Sequence, residues 1–244
     1  MTTTSSEPHG SKQGLIRRWP PAAHPPTVGE VGKQLLRRAV LPGLVVWLVI
    51  VTLGLLIVGP LNDLPIENTW SKQMEAARTP GWNDLTHYWS SSTDTWMTIG
   101  SGIVLSLLVW FLTRRWWVGM VPVLAITLEA TIFVTATHIV GRQRPDVSRP
   151  DPAPPTSSFP SGHAAAAMAL WLSIALLSMR IERAWIRWPL TIFGVVLPVL
   201  VAFARFYRGA HHVSDIVVGM LLGIFCALTA VRSVRQTREA PQAA

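Results

Sequence analysis

Charge is what this sequence has least of. Asp, Glu, Lys and Arg make up 14% of its 244 residues, against about 25% in soluble domains. That shortage argues against a soluble domain with a water-facing shell. Cysteine is nearly absent too: Cys226 stands alone inside an apolar run, which excludes an intramolecular disulfide. Acidic residues number 13 against 21 basic ones, for a net charge of +8. A surplus of that size can signal nucleic acid. Here most basic residues sit at the ends of apolar runs, where membrane orientation signals lie, so no nucleic-acid partner is expected. No internal repeat and no second domain is visible.

What the sequence has is long apolar runs. Half of the residues are hydrophobic, and the mean hydropathy is +0.36. A membrane-crossing helix needs roughly 20 mostly apolar residues. Six stretches qualify as candidates: 39–61, 96–113, 116–140, 163–179, 186–204 and 212–231. Pro189 and Pro198 fall inside the fifth, where membrane helices tolerate them. Trp96, Trp116, Trp117, Trp185 and Trp188 cluster near segment ends, as in interfacial aromatic belts.

The expected fold is therefore all-α, a bundle of six transmembrane helices. Residues 39–231 form the membrane domain. Residues 1–38 form a disordered and juxtamembrane cytoplasmic tail, and residues 232–244 a second cytoplasmic tail. Residues 1–29 are polar and rich in Pro, Ser and Thr. The pair Arg17-Arg18 is followed by Pro20, Pro21, Pro25 and Pro26 instead of an apolar stretch, so a cleaved export signal is not expected. Residues 30–38 suit a short helix on the membrane surface. Residues 62–95, between the first two spans, read as a short amphipathic helical loop broken at Pro80 and Gly81. Trp70, Trp82 and Trp89 suit contact of that loop with the bilayer surface.

Orientation follows from the cations. Lys33, Arg37, Arg38, Arg114, Arg115, Arg180, Arg183, Arg187, Arg232, Arg235 and Arg238 all fall on one side of a six-span plan. The positive-inside rule makes that side the cytoplasm, with both termini there. The opposite side carries the acidic stretch 62–95, the proline-rich stretch 141–162 and the turn from Arg205 to His211.

Three patches on that outer side carry chemistry: Arg144-Pro145, Pro160-Ser161-Gly162-His163, and Arg205 with His211 and Asp215. Each alone has a bland reading; Ser161, for instance, can simply cap a helix. Together they bring ionisable groups to one depth of a membrane protein, which marks a functional site. Arginine offers a planar fork of donors suited to phosphate oxygens. Ser161 and Gly162 open the fourth span, and a helix N-terminus favours an anion. Gly162 lets a phosphate approach the backbone. Arg144, Arg205, Ser161 and Gly162 thus form an expected phosphate cradle. His211 and Asp215 are spaced i, i+4 on one helix face. Asp215 can hold one ring nitrogen of His211 and leave the other to attack phosphorus. His163 can protonate the leaving group and then activate water. No metal and no cofactor is required by this reading. His211, His212 and Asp215 do not suggest a metal site, because adjacent helical histidines point in different directions.

These patches resemble the signature of the type 2 phosphatidic acid phosphatase superfamily, the lipid phosphate phosphatases. That signature is a lysine, six residues and Arg-Pro; then Pro-Ser-Gly-His; then Ser-Arg, five residues, His, three residues and Asp. The present sequence reads THIVGRQRP at 137–145, PSGH at 160–163 and ARFYRGAHHVSD at 204–215. The second motif matches in full. Ala204 replaces the serine of the third, and Thr137 replaces the lysine of the first, with His138 and Arg142 as auxiliary residues able to stand in for it. The resemblance implies His211 as nucleophile, Asp215 as its orienter, His163 as acid and base, and Arg144, Ser161, Gly162 and Arg205 as phosphate ligands. It also implies a six-helix fold with an extracytoplasmic active site. Soluble haloperoxidases that bind vanadate have a similar site, and the membrane composition counts against that branch.

The implied activity is metal-independent hydrolysis of a lipid phosphate or pyrophosphate through a phosphohistidine. Phosphatidic acid, phosphatidylglycerol phosphate and polyprenyl pyrophosphate suit the cradle equally, since it reads only phosphate. The compact plan fits a bacterial plasma membrane. The alternative is a protein that binds or transports a lipid phosphate without cleaving it. The implied partners are the lipid substrate and the bilayer, and oligomeric state is left open.

Overall fold

The structure, a computed structural model, describes residues 27–151 and 156–234. The expectations for residues 1–26 and for those after 234 lie outside the described residues. Those described contain helices and no strand.

The chain enters α1 (Val28–Leu35) through a capping box, Thr27 accepting from the Glu30 amide and Glu30 reaching back to Thr27. A π-helical turn, Leu36–Val40, then leads directly into α2 (Leu41–Val58). The expected separate surface helix over 30–38 is thus part of one continuous rod. Pro42 has no N–H to give to the carbonyl four residues back. The wider π turn just ahead of it re-registers the ladder.

Two 12-residue helices follow, α3 (Pro65–Ala76) and α4 (Pro80–Ser91). The break expected at Pro80 and Gly81 falls just ahead of them, at residues 77–79. Pro80 opens α4, with Thr79 as its cap, which is where proline costs a helix nothing. α5 (Thr95–Thr113) comes next. The expected single segment 116–140 is split into α6 (Trp116–Gly119) and α7 (Val121–Val140), with Pro122 near the α7 start. α8 (Gly162–Ser178), α9 (Ala184–Tyr207) and α10 (Val213–Ser233) complete the bundle.

Among the described residues, five helices are long and apolar enough to cross a membrane: Val28–Val58, Thr95–Thr113, Val121–Val140, Ala184–Tyr207 and Val213–Ser233. The sixth expected span, α8, is a shorter apolar helix. α8 is central, packing against α7, α9 and α10. Its alanines make that possible, because small residues let membrane helices approach closely. At Gly223 a Cβ would stand 2.5 Å from the Ala165 carbonyl oxygen. By contrast α2 and α5 turn large apolar residues outward, among them Leu48, Val49, Val104 and Phe111.

The ends of these helices carry different chemistry. At one end Arg38 donates to the Arg232 carbonyl at 2.7 Å. At the other end the segments 59–94, 141–151, 156–161 and 208–212 meet, tied together by hydrogen bonds. Arg78 donates to the carbonyls of Tyr207 and Ser148. Trp82 packs edge-on against Trp89 and Phe203. α4 therefore rests on α9 as a second wall around this end.

Candidate active site

All three sequence patches reach this one end. Ser161 is the N-cap of α8 and its hydroxyl accepts from the Ala164 amide at 3.5 Å. The amides of Gly162 and His163 fall in the first turn, where intrahelical partners are lacking. Arg205 lies in the last turn of α9. Arg144 comes from the segment after α7 and donates to the Ala210 carbonyl at 2.7 Å, next to His211.

The arginines at this end divide into two kinds. Arg78 pairs with Glu75 at 4.0 Å. Arg208 clasps Asp151 with Nε and Nη2. Arg142 meets Asp63, Glu67 and Asp215 at 3.3, 2.9 and 2.5 Å. Arg144 and Arg205, in contrast, have no carboxylate partner among the described residues. Arg205 gives Nη1 to the Ser90 hydroxyl at 2.8 Å. The Nε of each, buried, has no hydrogen-bond partner. Their charges are close enough to act on each other. Burial, and then the charge of Arg149, pulls Arg144 below its ordinary range, yet a guanidinium stays charged. A half-buried and a buried cation, each with an idle, shielded donor and no carboxylate, form a site that an anion completes.

His211 is 3% exposed, so its proton and partners matter. Its Nδ1 lies 2.7 Å from the Ser158 carbonyl oxygen. A carbonyl only accepts, so this contact assigns the proton to Nδ1 and leaves a lone pair on Nε2. Burial first, and then the charge of Arg205, holds the imidazole well below its usual 6.5. It is neutral at neutral pH, as a nucleophile must be.

Asp215 reaches His211 differently from the sequence expectation. The helix starts at Val213 with His212 as N-cap, so His211 lies outside it and the i, i+4 face argument does not apply. Asp215 occupies the third helical position, and its carboxylate turns back to the His212 amide at 2.8 Å. It also accepts from Arg142 Nη1 at 2.5 Å and the Ser158 hydroxyl at 2.6 Å. His211 Nδ1 is 3.9 Å away. Ser158 therefore bridges the pair, its hydroxyl held by Asp215 and its carbonyl holding His211. Nothing in the sequence signals Ser158, which precedes the PSGH motif without belonging to it.

The auxiliary residues separate as well. Thr137 donates only to the Ser157 carbonyl, at 3.4 Å. His138 is exposed on α7. Arg142 is buried, and its guanidinium is fully engaged: it also donates to the Ser214 hydroxyl and the Asp63 carbonyl. Burial opposes its charge, but Asp215 and Glu67 outweigh that and raise its proton affinity. Arg142 is an internal counter-ion rather than a free phosphate ligand. Glu67, 3% exposed, supports the same knot by accepting from the Ser214 amide at 2.7 Å. The three residues before α3, Asn62, Asp63 and Leu64, all have positive φ, which delivers Asp63 to Arg142.

Gly162 has a local packing reason beside the expected one. A Cβ there would meet the Phe133 ring at 2.7 Å. Glycine at this position lets α8 close on α7. His163 points its Nε2 at Asp94, 3.2 Å away. The described residues contain no cluster of His, Cys, Asp and Glu able to hold a metal ion.

The pattern of the PAP2 superfamily matches residues 118–239, half of the chain. An undecaprenyl-diphosphatase of Sulfolobus acidocaldarius is 28% identical over 131 residues, 52% of this chain and 59% of that protein. The match thus spans less than two thirds of that relative. A transmembrane PAP2-type phosphatidylglycerolphosphate phosphatase from Bacillus subtilis has a similar fold, with a TM-score of 0.66 at 19% identity. That likeness covers 78% of this chain and 93% of the other.

Proposed function

This chain belongs to the PAP2 superfamily, and from that premise we propose that it is an integral membrane phosphatase hydrolysing a lipid phosphate or pyrophosphate through a phosphohistidine. One observation carries the reading: half-buried Arg144 and buried Arg205 are cations without a carboxylate, each with an idle, shielded Nε, beside a histidine whose proton is fixed on Nδ1.

In the proposed reaction the phosphate binds between Arg144, Arg205 and the first-turn amides of α8. Nε2 of His211 attacks phosphorus in line with the leaving oxygen. The P–O bond breaks as the P–N bond forms, and His163 gives its proton to the departing oxygen. Water then attacks the phosphohistidine, His163 takes the water proton, and inorganic phosphate leaves with His211 restored. The arginines neutralise the equatorial oxygens throughout. Ser158 and Asp215 keep His211 in one tautomer and one orientation.

The site is proposed to open on the outer face of the membrane. Arg38, Arg114, Arg183 and Arg232 belong to the opposite end, which the positive-inside rule assigns to the cytoplasm. The names of the relatives favour a lipid diphosphate or phosphatidylglycerol phosphate over a soluble ester.

Phosphate release by the purified protein in detergent, with chelator present, tests the reading. Wild type and His211→Ala are compared on phosphatidic acid, phosphatidylglycerol phosphate and a polyprenyl pyrophosphate. Release that survives chelator and disappears in His211→Ala is expected. Binding of these lipids without release would overturn hydrolysis in favour of a binding or transport role, with Thr137 in place of a lysine as the first suspect.

A further inference from the structure

Asp94 stands at the N-cap of α5. An aspartate there ordinarily accepts from an amide of the first turn. This one makes no such bond. Its backbone already serves the helix start, the Thr98 amide donating to its carbonyl at 2.8 Å. Its carboxylate instead lies 3.2 Å from Nε2 of His163, a residue on another helix 69 positions away.

The segment that delivers it is fixed. Thr93 is buried and its hydroxyl holds the Ser90 carbonyl at 3.1 Å. Thr98 gives its hydroxyl to the Thr93 carbonyl at 3.1 Å. Ser90, four residues before Asp94, accepts from Arg205. One short connection thus touches both an anion-binding arginine and the histidine beside it.

An ionised carboxylate only accepts, so the contact fixes a proton on Nε2 of His163. The other ring nitrogen is left to exchange protons with the reacting oxygens. Arg205 and Arg144 are the cations that act on His163. Asp94 is the opposing negative charge at that ring.

We propose that Asp94 is a positioning residue for the acid–base histidine, orienting His163 and sustaining its protonated form while the leaving oxygen departs. The assignment rests on the phosphatase reading above. It puts an oriented histidine on each side of the phosphate: His211 with Ser158 and Asp215 on the attacking side, His163 with Asp94 on the leaving side.

Leaving-group dependence separates this role from a structural one. An alkoxide needs a proton to depart, and p-nitrophenolate does not. kcat/KM reports steps only up to the first irreversible one, so it isolates phosphohistidine formation. For Asp94→Asn in the full-length protein, kcat/KM on phosphatidic acid should fall by roughly tenfold or more, and that on p-nitrophenyl phosphate by less than about threefold, since general acid help is worth about 10²–10⁴ on poor leaving groups. Asp94→Glu should recover part of the loss. In a His163→Ala background Asp94→Asn should cost nothing further, because coupled residues are not additive. Thermal stability should be unchanged, as no cap bond is lost. Equal losses on both esters, or full additivity with His163→Ala, would overturn the assignment and leave the phosphatase reading intact. Phosphatidylglycerol phosphate or a polyprenyl pyrophosphate replaces phosphatidic acid if wild type cleaves it faster, and a wild type that cleaves none of the three lipids would overturn both readings.

Discussion

Nδ1 of His211 hydrogen-bonds the carbonyl oxygen of Ser158 at 2.7 Å. The histidine is therefore oriented by the main chain, and its carboxylate acts one residue removed. Asp215 holds the Ser158 hydroxyl, the His212 amide and Arg142 at once. Removing the Ser158 hydroxyl leaves the carbonyl in place, so Ser158→Ala should slow turnover modestly. Asp215→Asn replaces an acceptor with a donor facing Arg142, and should cost far more, about 10²-fold or beyond in kcat, as loss of orienting partners does. Initial rates of the two variants at saturating substrate give the comparison, and an unchanged rate in Ser158→Ala would mean that Ser158 is not the bridge.

The pH profile carries a second expectation. Burial, followed by the Arg205 charge, holds His211 well below 6.5. A base whose proton affinity is depressed stays neutral, hence nucleophilic, as pH falls through 6.5. It is protonated and inactive only below its own lowered value. The acid limb of kcat/KM should therefore lie well below pH 6.5. Arg205→Gln removes one of the causes, with burial and Arg144 left in place, so the limb should move upward toward 6.5 while the plateau falls by about 10²–10³, the typical cost of one transition-state donor. An acid limb at or above 6.5 in wild type would count against His211 as the buried nucleophile.

Arg142 is the place where sequence and structure diverge most. Its position two residues before Arg144 makes it look like a spare phosphate ligand. The carboxylates that claim it are distant in sequence: Asp63, Glu67 and Asp215. No local pattern reveals such a knot, because Glu67 in isolation reads as one polar residue on an amphipathic helix. The same holds for Asp94, which looks like a helix cap until α8 is placed beside it. What was legible was local or spaced along one element. The apolar runs found the helices, the prolines marked their interruptions, and the motif spacing found His163, Arg205 and His211. The turn of α10 was misjudged because a helix start two residues later moves Asp215 from a shared face to a cap.

Breaking the Arg142 knot on one side leaves buried carboxylates without a counter-ion. Arg142→Met should destabilise the protein by about 3–5 kcal/mol, the usual cost of breaking a buried pair from one side. The second change Glu67→Gln, which removes one stranded charge, should restore part of that. Thermal unfolding in detergent measures both. A phosphate ligand would behave differently: substrate affinity would fall with stability intact, and the second change would restore nothing.

Gly162 offers the sharpest test of what a motif residue is for. Within PSGH it invites the reading that glycine admits phosphate to the backbone. In the fold its missing Cβ is the space taken by the Phe133 ring, 2.7 Å from where that carbon would be. Gly162→Ala should therefore force α8 and α7 apart and cost about 1–3 kcal/mol, as overpacking does. The shift would also displace Ser161 and His163, so activity should fall with it. Phe133→Leu shortens the obstructing ring, and Gly162→Ala combined with Phe133→Leu should regain both stability and turnover. If the double variant regains its melting temperature while phosphate release stays lost, the glycine is needed at the phosphate itself, and the packing account of this position fails.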